Sequence, residues 1–159
     1  MITVQHATLN DFVFIGKIHG RAAFPASDNY PFKHKILTDE SELKQTRQVL
    51  CAKEGFYIYG YVAFQIKNNV VAWVNDLCVD PQEQHKGVAT LLMHKVEDFA
   101  ENSACLMVAT ETEQNNIKAI QFLDKNDYIR ANDLLEQHPY HYLKGRTSPF
   151  NKPIMAKVI

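Results

Sequence analysis

A chain of 159 residues with 17 lysines and arginines against 18 aspartates and glutamates has a formal net charge of −1, so it carries no broad positive field for nucleic acid and no polybasic membrane anchor. No run approaches the ~18 consecutive apolar residues of a spanning helix, and the N-terminal residues lack the pattern of a secretory signal. With 46% hydrophobic and 22% charged residues, we expect a single globular domain over residues 1–159, with no nucleic-acid or membrane partner.

The three cysteines, Cys51, Cys78 and Cys105, lie in apolar, strand-like runs. Their odd number does not suit a disulfide framework, and buried thiols of this kind are typical of a reducing compartment. We therefore expect free thiols and a cytoplasmic protein.

The N-terminal part of the chain predicts one strand and two helices. The run "ITVQHA" alternates in polarity, as a half-buried strand does. The run "TLNDFVFIGKIHGRAAF" is typical of a helix capped at Thr8 or Asn10, with Phe12, Ile15 and Ile18 on one stripe. A loop with two prolines follows, and "ESELKQTRQ" then predicts a polar helix.

Three strand-like runs come next and predict an antiparallel meander. The first two, "QVLCAKE" and "FYIYGYVAFQI", are joined at Glu54 and Gly55, which form a tight-turn signal. The residues "KNNV" then turn the chain into the third run, "VVAWVNDLCVD".

Helices and strands alternate in the second half of the chain. From Gly87 to about Ala100, apolar residues such as Val88, Leu92 and Val96 recur at helical spacing. The run "ACLMVATET" is a continuous apolar strand of the kind found in parallel sheets, and "NNIKAIQFLDKND" predicts another amphipathic helix. "YIRAND" and "YHYLKG" are candidate closing strands, and residues 146–159 are either a last strand or an arm.

The predicted order of elements is β, α, α, β, β, β, α, β, α, β, β. This order favours an α/β protein with one mixed sheet of about seven strands and helices on both faces.

A strand, a short loop, Gly87 and a helix follow one another in "VNDLCVDPQEQHKGVATLLM". The first turn of a helix has about four unpaired N–H groups and roughly half a positive charge, so it suits an anion such as phosphate. Gly87 has no Cβ and allows a ligand close to the main chain. Neither GxGxxG nor GxxxxGK[ST] is present, so the usual nucleotide fingerprints fail, and a helix that merely starts at a permissive glycine is the alternative.

The residues around Gly87 resemble the signature of the GNAT-superfamily N-acetyltransferases. That signature is Gln/Arg-x-x-Gly-x-Gly/Ala at the start of a helix, and here it stands as "QHKGVA" from Gln84 to Ala89. A second block of the family, Asn-x-x-Ala-x-x-Phe-Tyr-x-x-x-Gly-Phe, is similar to "NIKAIQFLDKNDY". The spacing favours Asn116 for the motif asparagine, whereas Asn115 is better placed as a helix cap. The departures from the block are Leu123 for Tyr, Asp127 for Gly and Tyr128 for Phe.

The resemblance implies the GNAT acyl-CoA N-acyltransferase fold and acetyl-CoA as a co-substrate, with no metal. It implies that the loop before the helix holds the diphosphate of coenzyme A, and that main-chain groups of the preceding strand hold the pantetheine and the developing oxyanion. The residues implied in binding acetyl-CoA are Leu77, Cys78, Val79, Gln84, His85, Lys86, Gly87, Val88, Ala89, Thr90, Asn115, Asn116, Ala119 and Phe122.

Transfer to an amine needs a base, because an amine with a pKa of ~10.4 is less than ~0.1% neutral at pH 7. Asp76 is the candidate, with a surface or turn-pairing aspartate as the alternative. The leaving thiolate needs a proton, and Leu123 replaces the tyrosine that relatives commonly use for this. Tyr128, Tyr140 and Tyr142 are candidates for that acid, with buried packing as the alternative for each.

The predicted activity is therefore N-acetylation of a primary amine by direct attack on acetyl-CoA. A small molecule, a peptide or a protein could be the acceptor, and residues 8–47 are expected to form its binding wall. A non-catalytic acyl-CoA-binding domain of the same fold and a nucleotide-binding protein are the alternatives. No predicted helix aligns His138 and His141 and no cysteine lies near them in the sequence, so we expect no metal site there. A homodimer is a reasonable assembly.

Overall fold

The computed structural model describes residues 1–23, 48–131, 133 and 153–159. Two short 3-10 turns, Leu9–Asp11 and Pro81–Glu83, precede the first and second helices. The strands are β1 (Thr3–His6), β2 (Gln48–Glu54), β3 (Tyr57–Lys67), β4 (Val71–Val79), β5 (Met107–Glu111), β6 (Ile129–Arg130) and β7 (Ile154–Val158). The helices are α1 (Phe12–Ala23), α2 (Val88–Asn102) and α3 (Ile117–Lys125).

All seven described strands form one mixed sheet in the order β1-β2-β3-β4-β5-β7-β6. Strands β1 to β4 pair antiparallel as a meander, as the turn signals predict. Strand β5 lies parallel to β4, which requires the crossover through α2. Strand β7 pairs antiparallel with both β5 and β6. The mixed seven-stranded sheet is therefore confirmed.

The helices pack on both faces of this sheet, because each has one apolar side to bury. On one face, Leu92 and Val96 of α2 and Leu123 of α3 join the main core with Phe64 and Val74 of the sheet. On the other face, Ile15 and Ile18 of α1 pack with Tyr61 and Ala63. A third apolar cluster around Met107 and Ala156 lies where β4, β5 and β7 meet.

Four local predictions are refined by the structure. Thr8 precedes a 3-10 turn, and the α-helix proper begins at Phe12. The cap of α3 is Asn116 and not Asn115, because the Asn116 side chain accepts a hydrogen bond from the N–H of Ala119 at 3.2 Å. Among the described residues of "YIRAND", only Ile129–Arg130 is a strand. Residues 154–158 form a strand and not an arm, while "ESELKQTR" and "YHYLKG" lie outside the described residues.

The start of α1 is held to the sheet by a largely buried carboxylate. Asp11 accepts hydrogen bonds from the N–H and hydroxyl of Thr8 at 2.7 and 2.8 Å. It also forms an ion pair with Lys53 of β2 at 2.9 Å, and the two side chains are 12% and 11% exposed. Burial raises the pKa of Asp11, but the hydrogen bonds from Thr8 and Lys53 outweigh it and hold the pKa below its usual value of 3.8.

We expect Asp11→Asn to lower the free energy of unfolding by about 3 kcal/mol at pH 7, because Lys53 loses its partner in a buried setting. A carboxyl whose pKa is lowered by folding stabilises the chain above its unfolded pKa, and this stabilisation is lost as the pH falls through the lower folded pKa. The deficit of the variant should therefore shrink at pH 3 or below. Urea unfolding at pH 7 and pH 3 measures the difference in the free energy of unfolding between the variant and the wild type, with the exposed Asp124→Asn as control. A deficit of equal size at both pH values would contradict the ion-pair explanation.

Candidate functional site

Strands β4 and β5 part midway along the sheet. Their parallel pairing runs from Val71 to Val74 on β4 and ends opposite Thr110 of β5. At this last position the Thr110 hydroxyl donates to the Val74 carbonyl at 3.1 Å. From Asp76 to Val79, β4 is paired with β3 on one side, and no described strand pairs with the other edge of residues 75–79. We call this edge, residues 75–79 of β4, the open edge.

A β-bulge lies where the open edge begins. Ala63 of β3 pairs with Asp76 and Phe64 pairs with Val74, so Asn75 is the extra residue. Val74 and Leu77 both pack into the core on the side of α2. Two residues instead of one separate them, so Asn75 and Asp76 both lie toward the opposite side, the side of α1. The bulge therefore directs the predicted base away from the α2 core.

The alternation of hydrogen bonds along β4 decides which peptide groups face the open edge. The N–H of Asp80 donates to the carbonyl of Tyr59 at 2.8 Å, so this pair is hydrogen-bonded. The pair two residues further, Tyr61 with Cys78, is then hydrogen-bonded as well. The peptide groups of Leu77 and Val79 therefore point to the open edge. By the same alternation the peptide groups of Cys78 face β3, so the predicted role of its main chain as a donor is left out of the proposal below.

The side chain of Cys78 lies in a polar cluster beneath α1. The hydroxyl of Tyr61 is 2.7 Å from Nδ1 of His19, and Cys78 Sγ is 3.9 Å from the same nitrogen. Tyr61 is fully buried and His19 is 7% exposed. Burial raises the pKa of the Cys78 thiol to about 11. The hydrogen bond from Tyr61 lowers this pKa, and the negative charge of Asp76 raises it. This thiol is therefore protonated at neutral pH.

The amino end of α2 has the character of an anion site. Gly87 is the N-cap with a φ of 77° and makes no side-chain cap, so the first N–H groups of the helix lack that partner. The first turn holds no acidic residue. A Cβ built on Gly87 meets no atom of the described residues within 4 Å, so it would project into open space at this turn. His85, two residues earlier, also has a left-handed φ, of 67°.

The structure brings the predicted residues of the "QHKGVA" motif together in one turn. Val88 is buried in the core and anchors the helix, whereas Ala89 and Thr90 are half-buried. The three residues before Gly87 are exposed; they are Gln84, His85 and Lys86.

Two carboxylates, Glu83 and Asp80, brace this loop, and the sequence analysis predicted a role for neither. Glu83 accepts hydrogen bonds from Lys86 and, at 2.9 Å, from the hydroxyl of Tyr57. Asp80 is buried, forms an ion pair with Arg21 of α1 at 2.6 Å, and caps the 3-10 turn by accepting from the N–H of Gln82 at 3.2 Å. The Asp80-Pro81 dipeptide was a readable cap signal, but no local pattern pointed to Arg21.

The second motif block mostly builds structure. Asn116 caps α3 and Asn115 is exposed, while Ala119 and Phe122 are half-buried. This helix begins after the carboxyl end of β5, as α2 does after β4, so both amino ends lie at the same edge of the sheet. The carboxyl edge of parallel strands is where α/β sheets usually bind ligands.

Tyr128, a predicted candidate for the acid, lies fully buried in the core on the side of α2. Its hydroxyl donates to Glu97 in the middle of α2 at 2.9 Å, and Glu97 also binds Lys157 of β7 at 3.2 Å. Burial raises the pKa of Tyr128 above its usual value, and the negative charge of Glu97 raises it further. Tyr128 is therefore a buried core residue with a paired hydroxyl, which was the alternative to its role as the acid. Tyr140 and Tyr142 lie outside the described residues.

Within the described part of the chain, no three histidine, cysteine or carboxylate side chains come together as a metal site. His138 and His141 lie outside it. None of the helices in this part is long and apolar enough to cross a lipid bilayer. All three cysteines are described, and all are free thiols.

Solved structures share the fold over almost the whole chain. They include the PaiA N-acetyltransferase from Thermoplasma acidophilum in complex with coenzyme A, with a TM-score of 0.75, 13% identity and coverage of 100% of this chain and 99% of that one. GCN5 from Tetrahymena has a TM-score of 0.73 and 18% identity over 100% and 96%. The ribosomal-protein-S18-alanine N-acetyltransferase from Escherichia coli has a TM-score of 0.72 and 17% identity over 100% and 94%.

A search of curated proteins finds no match. The model of the acetyltransferase (GNAT) family matches residues 15–128, which is well over half of the chain and includes most of α1 and all of β4, α2 and α3. The mixed sheet that parts between β4 and β5 agrees with this match. The chain therefore belongs to the GNAT acetyltransferase family.

Proposed function

We propose that this protein transfers an acetyl group from acetyl-CoA to a primary amine. The observation that carries the proposal is the position of the open edge of β4, which only the short turn of residues 80–87 separates from the amino end of α2. A thioester carrier needs an anion site for its phosphates and free peptide groups for its extended arm. Both are present here within one stretch of the chain, from Asn75 to Val88.

The diphosphate is assigned to the amino end of α2. The N–H groups of the first helical turn and the positive end of the helix dipole favour negative charge. The absence of an acid in the first turn leaves that potential uncompensated. Charge-assisted hydrogen bonds of this kind contribute about 1.5–3 kcal/mol each.

The pantetheine arm is assigned to the open edge, where it would add to β4 as a short strand. The peptide groups of Leu77 and Val79 face this edge and can bind its amides. One of these N–H groups would also receive the oxyanion that develops on the thioester carbonyl. Removing a single donor of this kind costs about 3–4 kcal/mol in comparable acyl-transfer sites.

Direct attack by the amine follows from this arrangement. The amine lone pair forms the C–N bond at the thioester carbon, and the carbonyl electrons move onto oxygen. Collapse of this intermediate breaks the C–S bond and releases coenzyme A as its thiolate. Asp76, on the α1 side of the open edge, is the proposed base that takes the amine proton, directly or through water.

The proposed source of the proton for the thiolate is solvent or Tyr142. Leu123, at the position where relatives commonly carry a tyrosine, is buried in the core. Tyr128 is held by Glu97 on the α2 side of the sheet. Neither residue has a part in the proposed chemistry.

A covalent route through Cys78 is not favoured. Its pKa of about 11 leaves only about 0.01% thiolate at pH 7. We therefore expect no acetyl-enzyme when the protein is incubated with acetyl-CoA in the absence of an amine. Intact-mass spectrometry followed by peptide mapping tests this, and an acetyl adduct on Cys78 that an added amine discharges would contradict direct attack.

The acceptor is assigned only to the class of primary amines. One of the similar structures is the ribosomal-protein-S18-alanine N-acetyltransferase, whose name gives an amino group as its acceptor. The proposed base and the thioester donor also suit an amine acceptor. Residues 24–47, most of the predicted acceptor wall, lie outside the described residues.

The proposal is tested by adding acetyl-CoA to the protein with a panel of amines and measuring release of free thiol. The panel should hold a polyamine, free amino acids, a lysine peptide and peptides with free N-termini. We expect thiol release with at least one of these classes. The buried Leu123 favours a second candidate, a non-catalytic acyl-CoA-binding domain, which predicts tight coenzyme A binding without turnover on every amine. Thermal protection by ATP or NAD equal to that by coenzyme A would contradict both.

A further inference from the structure

Asn75 has an unpaired polar atom in an unusual position. Its side-chain carbonyl oxygen, Oδ1, is buried and has no hydrogen-bond partner in the part of the chain that the structure describes. A buried acceptor without a partner is destabilising, and native proteins bury very few of them. Those that persist call for a physical explanation, and a role in binding is one.

The position of this atom points to the reaction site. Asn75 is the bulged residue at the first position of the open edge, and it directly precedes Asp76. Both residues lie on the α1 side of β4, because Val74 and Leu77 occupy the α2 side. Bulges often serve to re-aim side chains next to active sites. An oxygen that lacks a donor therefore lies beside the proposed base.

The chemistry of the attacking group supplies the missing donor. A neutral primary amine has one lone pair and two N–H bonds. Its lone pair must point at the thioester carbon, so its two N–H groups need acceptors that hold them in the right direction. Asp76 is the acceptor for the proton that is removed. A second acceptor is needed for the N–H that stays.

We propose that Asn75 Oδ1 accepts a hydrogen bond from the second N–H of the attacking amine and so selects primary over secondary amines. This inference rests on the proposed function. Asn75 as a whole is half-buried, and the torsion about its Cβ–Cγ bond is broad and nearly two-fold. A turn of the amide would therefore bring Oδ1 to the exposed side of the residue, where we place the attacking amine. A secondary amine has a single N–H, which Asp76 takes, and gains nothing from Asn75.

Asn75→Leu tests the proposal by removing the carbonyl at similar volume. We expect kcat/KM for the best primary amine of the panel to fall about ten- to a hundredfold. The preference for this amine over its N-methyl derivative should fall by a similar factor. The Kd for coenzyme A should stay within about twofold, and Tm should rise by about 2–4 °C because an unpaired buried acceptor is lost. Asn75→Asp, which keeps an acceptor oxygen, should retain the preference for the primary amine.

Three results would overturn the proposal. An unchanged kcat/KM for the primary amine in Asn75→Leu would show that Oδ1 does not bind it. A weaker Kd for coenzyme A that matches the loss in kcat/KM would place Asn75 against the pantetheine. A fall in Tm would show that the side chain is structural. If instead the wild-type protein acetylates no amine of the panel, the proposed function fails first, and the inference fails with it.

Discussion

Gly87→Val is expected to weaken coenzyme A binding by more than about a hundredfold, while the protein still folds. The new side chain would extend into space where a Cβ meets no atom of the described residues within 4 Å, and it would obstruct phosphates bound at this turn. Loss of two charge-assisted hydrogen bonds to phosphate corresponds to about 3–6 kcal/mol, which is a factor of a hundred or more in Kd. Isothermal titration calorimetry with coenzyme A measures the effect, and circular dichroism reports on the fold.

The backbone conformation of Gly87 requires a matched control. Its φ of 77° is left-handed, so a β-branched side chain adds strain that is independent of any ligand. Gly55, in the turn between β2 and β3, has a φ of 59° and also has open space around its Cβ position. Gly55→Val should show a comparable loss of Tm and unchanged affinity for coenzyme A. Undiminished affinity in Gly87→Val, or an equal loss in both variants, would contradict the assignment of the diphosphate to this turn.

Asp76→Asn is expected to lower kcat at pH 7 by about a hundredfold or more, with little change in the Kd for coenzyme A. The amide occupies the same volume but cannot take a proton, and positioned bases contribute about 10²–10⁴ in rate. The deficit should narrow as the pH approaches 10, because more of the amine is then already neutral. A pH profile of thiol release from pH 6 to 10 measures this.

Asp98→Asn is the control for this substitution, since it makes the same chemical change at an exposed position on α2. A deficit in Asp76→Asn that is constant across the whole pH range would remove this residue from proton transfer and leave it a role in shaping the bulge. A fall in coenzyme A affinity equal to the fall in kcat would point to damage of the open edge.

Much of the local structure could be predicted because its signals lie within a few residues of one another. The period of apolar residues separates the strands of the meander from α2 and α3. The turn at Gly55 and the helix start at Gly87 are marked by the residue that tolerates a left-handed backbone. The prediction of Asn115 as the helix cap was wrong by one residue. Both asparagines are suitable cap residues, and only the backbone geometry selects Asn116.

The sequence by itself therefore determined the order of elements from β2 to β6, the start of α2 at Gly87 and, through its two motif blocks, the family. Only the tertiary structure decided which edge of β4 is open, and that the peptide groups of Leu77 and Val79, not those of Cys78, face that edge. It also decided that the bulge places the side chain of Asn75 on the same side of β4 as that of Asp76. It also placed β7 between β5 and β6, and it paired Arg21 with Asp80 across 59 residues of chain. These features depend on the register between distant segments, and a periodic pattern indicates which side of a strand is apolar but not which partner it meets.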